Sequence, residues 1–275
     1  MEKNNIDNDY EKQIVALFDA KDIQYIDLEQ FKKLINSGAL DNEMNTYQEL
    51  WLTNYIQSNE PFTLNPYSEE AWGTYLYLKT DVLINNADLT DAADLKRFEA
   101  ISTFKKIWFL FHHDVDGEVD KQRLINIHHF VFGDVYPFAG EYRRVNMAKE
   151  KGSFLPIEKK EDIDSYLDNL FAEVDFELKN CMGIGQLASI LSKLYMKIIY
   201  CHPFREGNGR STREFLRQFS IIKSKELGLG NYELDWSRID RKQLDEFIGF
   251  AYLFPGLGSD IFLNALVKKE NQIHI

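Results

Sequence analysis

Residues 201–218 read CHPFREGNGRSTREFLRQ, and this stretch decides how the chain around it folds. The segment before it, IGQLASILSKLYMKIIY, carries apolar side chains at helical spacing. Pro203 cannot extend that helix, so His202 lies where the helix ends. Residues 207–209, Gly-Asn-Gly, tolerate positive φ, and Ser211 begins a second amphipathic helix. The stretch therefore predicts a helix, a loop and another helix.

The predicted loop has the chemistry of an anion site. Backbone N–H groups of a glycine-rich turn bind phosphate oxygens, and the helix that follows adds its free N–H groups and the positive end of its dipole. Arg210 and Arg213 are three residues apart, so both reach one polyphosphate from the same face. Glu206 offers a hard oxygen ligand to Mg²⁺, and His202 offers a base. These are the groups needed for attack of a hydroxyl on a phosphate.

Each of these features also has an ordinary structural explanation. A lone Gly-x-Gly is usually a turn, and an arginine beside a glutamate is usually a surface pair. Phe204 is expected in the core under either interpretation. The histidine pairs at 112–113 and 128–129 project ~100° apart on a helix, which disfavours a shared metal ion. The functional interpretation therefore depends on the whole string.

The composition describes a globular chain and excludes several classes of protein. Of its 275 residues 44% are hydrophobic, which excludes a disordered polypeptide. A net charge of −12 disfavours general nucleic-acid binding, because an acidic surface repels phosphate backbones. Two cysteines build no disulfide framework, and Cys201 is expected to be the apolar end of a helix rather than a nucleophile. The N-terminus has no apolar segment and no run reaches membrane-spanning length, so we expect a cytoplasmic protein with no membrane partner.

Helical periodicity dominates the chain and predicts a mainly α fold. Thr90 is expected to open a long helix, DAADLKRFEAISTFKKIWFLF, with apolar residues at every third or fourth position. Further helices are predicted near residues 120–132, 160–178, 184–200, 210–223, 239–250 and 260–270.

One segment and one boundary depart from this helical pattern. GEYRRVNMAKEKGSFLP, residues 140–156, has β-favouring residues around a polar middle and predicts a β-hairpin or flap. Prolines and polar residues at 58–67 indicate a linker. We therefore expect a helical extension at residues 1–62 and a main domain at residues 63–275.

The central string resembles the motif of the Fic family, His-Pro-Phe-x-(Asp/Glu)-Gly-Asn-Gly-Arg followed two residues later by a second arginine. The matching residues are His202, Pro203, Phe204, Glu206, Gly207, Asn208, Gly209, Arg210 and Arg213. The segments VLINNADLTDAADLKRFEA and DVYPFAGEYRRVNM resemble the family's first core helix and its approach to the flap. The resemblance covers about residues 67–270 and implies a helical bundle with a β-hairpin flap over the active-site loop.

The resemblance also implies a role for each motif residue. His202 would deprotonate the hydroxyl of a target protein, and Glu206 would hold Mg²⁺ on the α- and β-phosphates of ATP. The expected nucleotide-binding residues are Phe204, Gly207, Asn208, Gly209, Arg210 and Arg213, with the two arginines on the β- and γ-phosphates. The flap, about residues 145–155, would align the target by strand-like pairing.

These roles predict a protein AMP transferase that releases pyrophosphate. A branch of the family that transfers the γ-phosphate replaces the two motif glycines with Ala and Lys, whereas this chain keeps Gly207 and Gly209. Two alternatives remain open at this stage. One is transfer of another group, such as UMP, phosphocholine or phosphate, and the other is a nucleotide-binding module without turnover.

The expected partners follow from the resemblance alone. Targets of related bacterial proteins include ATPase subunits of type II topoisomerases, which makes this chain a candidate bacterial toxin. Many relatives are inhibited by a helix bearing (Ser/Thr)-x-x-x-Glu-(Gly/Asn), whose glutamate pairs with the second motif arginine. The nearest match here is Glu270-Asn271, which has Leu266 in place of Ser or Thr. We therefore expect a small separate antitoxin whose glutamate pairs with Arg213.

Overall fold

The computed structural model describes most of the predicted main domain, namely residues 63–64, 73–113, 117–149, 152–158, 161–240, 244 and 258–269. The predicted extension at residues 1–62 lies outside this set, as does nearly all of the predicted helix at 239–250. Within the described residues the helices are α1 (Ala92–His112), α2 (Lys121–Phe132), α3 (Glu161–Leu178), α4 (Ile184–Cys201), α5 (Asn208–Glu226) and α6 (Ser259–Ala265). The strands are β1 (Thr63–Leu64), β2 (Met147–Lys149), β3 (Gly152–Ser153), β4 (Tyr232–Leu234) and β5 (Leu266–Lys268). The mainly helical fold class is confirmed.

Helix α4 is the centre of the core, because it packs against α3, α5 and α6. Its apolar stripe includes Leu187, Leu191, Leu194 and Ile198, each with no exposed surface. Because these residues are spaced three or four positions apart, their side chains lie on one face of the helix. The apolar residues that repeat with helical spacing in the sequence are therefore the ones that are buried. Among the described helices, none combines the length and the apolar character that crossing a bilayer requires.

The two helices around the motif differ slightly from their predicted bounds. Helix α4 ends at Cys201, as Pro203 requires, and the next residue is left-handed. Helix α5 begins at Asn208, before the predicted start near 210, because only Gly207 of the Gly-Asn-Gly triplet has a positive φ. The loop between the helices is therefore shorter than predicted, and the triplet's last two residues form the first turn of α5.

Helix α1 begins one residue later than the prediction based on Thr90. Its N-cap is Asp91, whose carboxylate accepts hydrogen bonds from the N–H groups of Ala93 and Asp94. Aspartate caps this helix because its side-chain oxygen satisfies N–H groups that have no partner within the helix. Helix α1 then packs against α2.

The predicted flap is confirmed as an antiparallel hairpin of β2 and β3. The sequence did not reveal that β1 also pairs with β2, which places Thr63 opposite Ala148 and Leu64 opposite Met147. The flap is therefore the end of a three-stranded sheet with the order β1-β2-β3.

The predicted helix at 260–270 is wrong in its second half. Helix α6 ends at Ala265, and the chain continues as β5, which pairs antiparallel with β4. Leu234 of β4 lies opposite Leu266 of β5. Pairing between strands that are distant in sequence leaves no local pattern, and three residues are too few to show an alternation.

Arg143 joins the flap to the end of α4, and its side chain has no exposed surface. Its guanidinium donates to the carbonyl oxygens of Val145 and Leu155 at the base of the flap, at 2.6 Å each. It also donates to the carbonyls of Cys201 at 3.2 Å and His202 at 2.7 Å. Burial lowers the pKa of Arg143 to about 10, which leaves it charged at neutral pH. One buried cation thus sets the position of the flap over the motif loop.

Replacing Arg143 with alanine removes the donor to all four carbonyls, so we expect Arg143→Ala to lower the free energy of unfolding by at least ~3 kcal/mol. Arg144→Ala is the matched control, because Arg144 is exposed and makes one surface ion pair with Glu141. This control should stay within ~0.5 kcal/mol of the wild type. Urea denaturation followed by circular dichroism measures both, and equal stabilities of the two variants would contradict the role of Arg143.

Candidate active site

His202 occupies the junction between α4 and the motif loop in a left-handed conformation, with φ of 47° and ψ of 60°. Its ring stacks on Phe154, which follows β3, with centroids 3.6 Å apart and 15° between the planes. Its Nδ1 lies 3.3 Å from the carbonyl oxygen of Ile199. Because a carbonyl only accepts, this contact assigns the proton of the neutral ring to Nδ1 and the lone pair to Nε2. The ring of His202 is therefore held against the flap, with the lone pair of its neutral form on Nε2.

Phe204 and His128 support the motif loop from the core. Phe204 is buried, as the sequence predicts, and stacks on the His128 ring with centroids 3.8 Å apart. His128 Nε2 donates to the carbonyl of Glu206 at 2.9 Å, and Nδ1 accepts from the N–H of Gly140 at 2.8 Å. Burial lowers the pKa of His128 to about 3, so the ring is neutral. Both nitrogens are engaged, which makes this histidine a support and not a metal ligand.

Asn208 closes the loop on itself. Its Oδ1 accepts from the N–H of Phe204 at 2.8 Å, and its Nδ2 donates to the carbonyl of the same residue at 2.7 Å. The Asn208 side chain, which we expected to bind phosphate, thus also makes two hydrogen bonds that hold the loop. Gly207 caps α5 without a side chain, so the first N–H groups of the helix have no partner within it. Backbone N–H groups at such a helix start are suited to accept an anion.

Position 207 requires a glycine for two reasons, namely its backbone conformation and the lack of room for a side chain. Its φ is +78°, a region that other residues enter only with strain. A Cβ at this position would lie 2.3 Å from Cζ of Phe132, which is closer than van der Waals contact allows. At Gly209 a Cβ would lie 3.4 Å from Nη1 of Arg213, so the guanidinium of Arg213 lies against the first turn of α5.

Arg210 is buried, and its partners were not predicted from the sequence. Its Nη2 forms an ion pair with Oε1 of Glu99, and its Nη1 donates to Oγ1 of Thr103 at 3.2 Å. The guanidinium lies 4.6 Å from the centroid of the Phe132 ring. The predicted contact of this arginine with phosphate therefore competes with a carboxylate that already binds it. The guanidinium of Arg213, in contrast, lies beside Gly209 in the first turn of α5.

Glu99 and Tyr136 are the site residues that sequence reasoning missed. Tyr136 donates its hydroxyl proton to Oε2 of Glu99. One signal was present, because Glu99 lies four residues after Leu95 and four before Thr103, both buried on one face of α1. A carboxylate on the buried face of a helix indicates a partner buried with it.

Glu206 has one oxygen engaged by protein and one that faces no described donor. Its Oε1 accepts from the N–H of Gly207 at 2.9 Å and lies 3.6 Å from Nη2 of Arg210. Burial, and next the charge of Glu99, raises the pKa of Glu206. Among the described residues no donor reaches Oε2, and no group of three His, Cys, Asp or Glu side chains has the arrangement of a metal site. This fits Mg²⁺, which proteins commonly bind with one or two carboxylates while phosphates and waters supply the other ligands.

A sequence model described as the Fic/DOC family matches residues 118–220. The chain is 30% identical over 175 residues to the probable protein adenylyltransferase y4lH of Sinorhizobium fredii, covering 62% of this chain and 84% of the relative. It is 28% identical over 218 residues to the protein adenylyltransferase VbhT of Bartonella schoenbuchensis. That match covers 78% of this chain but only 40% of VbhT.

Solved structures with a similar fold come from Bartonella. The BepC protein of Bartonella tribocorum, crystallised with AMPPNP, superposes with a TM-score of 0.57 at 20% identity. It covers 72% of this chain and 98% of that chain. An N-terminal Fic domain from Bartonella quintana with bound ADP gives 0.59 at 20% identity, covering 72% and 96%. At this identity the likeness concerns the fold, and it agrees with the helical bundle and hairpin described above.

The space around Gly207 generates a stability prediction. Gly207→Ala should lower the free energy of unfolding by ~3 kcal/mol, because it combines a left-handed backbone with an overlap on the Phe132 ring. Gly185→Ala in α4 is the control, since a Cβ there meets nothing within 4 Å. A helical alanine at 185 should leave stability unchanged or raise it by up to ~1 kcal/mol. Thermal and urea unfolding measure both variants.

A second substitution separates the two causes of the expected loss of stability, the overlap with the Phe132 ring and the backbone strain at position 207. Phe132→Leu added to Gly207→Ala removes the ring atoms that the new Cβ would meet, so part of the lost stability should return. If Gly207→Ala is as stable as the wild type, the loop geometry described here is wrong.

Proposed function

The chain belongs to the Fic/DOC family, and from this membership we propose that it is a protein adenylyltransferase, transferring AMP from ATP to a hydroxyl side chain of another protein. The observation that carries the proposal is that one short loop joins His202, at the end of α4, to the start of α5, which has no side-chain cap. A fixed base and an anion-binding helix end are the two groups that nucleotidyl transfer requires at neighbouring positions.

The start of α5 would bind the polyphosphate of ATP. Its free N–H groups lie at the positive end of the helix dipole, and the guanidinium of Arg213 lies beside them against Gly209. The AMPPNP and ADP bound in the two Bartonella structures make ATP the favoured donor. Glu206 would hold Mg²⁺ through Oε2, and the bound ion would neutralise charge on the phosphates.

In the proposed reaction, Nε2 of His202 takes the proton from the target hydroxyl. The hydroxyl oxygen forms a bond to the α-phosphorus, and the bond from that phosphorus to the bridging oxygen breaks. Pyrophosphate leaves, and the target carries AMP on its side chain. The stacked ring of Phe154 keeps His202 in the orientation that this step needs.

The space around Gly207 disfavours the phosphate-transferring alternative. That branch of the family carries side chains at both motif glycines, and at position 207 a Cβ would overlap the Phe132 ring. Gly207 has a positive φ as well, which adds backbone strain to the overlap. Transfer of AMP is therefore favoured over transfer of the γ-phosphate.

The target and the cellular role are proposed from the resemblance. We propose a bacterial toxin that acts in the cytoplasm, with an ATPase subunit of a type II topoisomerase as the first candidate target. An extended segment of that target would pair with the flap. On the β2 side it would have to displace β1, because Thr63 and Leu64 already pair there.

Control by a separate antitoxin is the proposed regulation. Its glutamate would pair with Arg213, which lies beside Gly209 at the mouth of the phosphate site. The alternative inhibitor within this chain, Glu270, lies outside the described residues. A charge pair in a desolvated cleft is strong enough to exclude a competing phosphate.

Labelled ATP tests the reaction and its base together. In a bacterial lysate the protein should transfer label from α-labelled ATP to a protein band, and should transfer none from γ-labelled ATP. His202→Ala should slow transfer by ~10²–10⁴-fold, because it removes the general base. His112→Ala is the matched control, since this exposed histidine hydrogen-bonds to the carbonyl of Trp108 within its own helix α1. Transfer by His202→Ala at the wild-type rate would remove His202 from its role.

Expression in bacterial cells tests the proposed regulation. The protein expressed alone should arrest growth, and His202→Ala expressed alone should not. If the wild-type chain is quiet and Glu270→Gly makes it toxic, the inhibitor is the C-terminal segment and an antitoxin is unnecessary. Growth curves and labelling of target in extracts measure both outcomes.

A further inference from the structure

Glu99 brings a second carboxylate into the active site from α1, 111 positions before Arg210 in the sequence. Its side chain is only 15% exposed. One oxygen accepts from Nη2 of Arg210, and the other accepts the hydroxyl proton of Tyr136. Since both oxygens are engaged, the carboxylate is held in one orientation.

Arg210 has two carboxylates within reach and binds one of them. It contacts Glu99 directly, whereas its Nη2 lies 3.6 Å from Oε1 of Glu206, which is beyond hydrogen-bond distance. The bond from Nη1 to Thr103 and the contact with the Phe132 ring also face α1 and α2. The guanidinium therefore makes its hydrogen bonds on the side of α1, while Glu206 lies within ion-pair range of the same Nη2 without a hydrogen bond to it.

Glu206 is a second carboxylate to which Arg210 can turn. It lies in the loop just before the N-cap Gly207 of α5, with its Oε1 3.6 Å from Nη2 of Arg210. An arginine fork that closed on Glu206 would engage both carboxylate oxygens. Arg205 adds a second positive charge near Glu206. Without another carboxylate to bind Arg210, Glu206 would have two guanidinium groups competing with a metal ion.

We propose that Glu99 is a positioning residue, which binds Arg210 and so prevents it from capturing the metal-binding carboxylate of Glu206. In this role Glu99 acts only through Arg210 and needs no contact with nucleotide or metal. The inference rests on the proposed function, because that function assigns Mg²⁺ to Glu206. Under this proposal the orientation of Arg210 affects how tightly Glu206 binds Mg²⁺, and this effect is separate from any contact of Arg210 with phosphate.

The test measures how strongly Mg²⁺ and nucleotide bind together. Calorimetry gives the affinity of the non-hydrolysable analogue AMPPNP with Mg²⁺ present and with Mg²⁺ removed by EDTA, and the ratio of the two is the metal coupling. Glu99→Gln keeps the size and one acceptor but removes the charge, so Arg210 can turn to Glu206. We expect the coupling of Glu99→Gln to fall about tenfold below the wild type.

The decisive comparison measures the effect of Glu99→Gln with and without Arg210. In an Arg210→Gln background no guanidinium at 210 is present to capture Glu206, so adding Glu99→Gln should leave the coupling within about twofold of Arg210→Gln alone. Direct contacts of Arg210 with phosphate contribute to both affinities and largely cancel in the ratio. A merely structural role of Glu99 would lower folding stability in either background without this dependence on Arg210.

Two controls separate charge from packing. Glu226→Gln removes one charge from an exposed pair with Lys223 at the far end of α5 and should not change the coupling. Tyr136→Phe disturbs the same cluster without changing its charge and should change the coupling by less than about twofold. If Glu99→Gln does not fold, Glu99→Asp shortens the reach to Arg210 and should give an intermediate fall.

Three results would overturn the proposal. They are an unchanged coupling in a folded Glu99 variant, an equal fall in the Arg210→Gln background, and a wild-type chain with no coupling at all. Because the measurement needs no protein target, a failure of AMP transfer would overturn the proposed function while leaving this result to stand on its own.

Discussion

The end of helix α4 leaves carbonyl groups that no residue within the helix satisfies, and the buried guanidinium of Arg143 meets two of them. The same cation binds two carbonyls at the base of the flap. A positive charge at the C-terminal end of a helix also interacts favourably with the helix dipole. A backbone hydrogen bond from Leu155 to Tyr200 reinforces this link, and together they hold the flap residue Phe154 against His202, which follows α4.

Two different environments meet at the motif loop. On the core side, Phe204, His128 and Asn208 hold the loop with neutral groups, and burial keeps His128 uncharged. On the other side, Glu99, Arg210 and Glu206 form a line of alternating charges. The neutral side fixes the backbone of the loop, while the charged side carries the groups that we propose to bind a nucleotide and its metal ion.

The sequence predicted the parts of the site whose geometry is local. Pro203 determines where α4 ends, and the glycines determine where α5 begins to within a few residues. The flap was also predicted, because its strands adjoin in sequence. Neither the helix–loop–helix unit nor the hairpin requires information from distant residues.

Contacts between distant residues could not be predicted in the same way. Glu99 and Tyr136 lie within segments whose resemblance to the family was evident, yet their ion pair and hydrogen bond depend on how α1 packs. The pairing of β1 with the flap and of β4 with β5 is equally non-local. The bonds of the Asn208 side chain to Phe204 depend on the folded shape of the loop, which residue types alone do not specify.

The proposed activity of the loop after α4 is transfer of AMP to a hydroxyl side chain. Peptide mass spectrometry of proteins incubated with this chain, ATP and Mg²⁺ tests it most directly. We expect a serine, threonine or tyrosine that carries one AMP group with the wild type, and no such residue with His202→Ala. A target that carries only phosphate, or AMP that appears equally with His202→Ala, would contradict it.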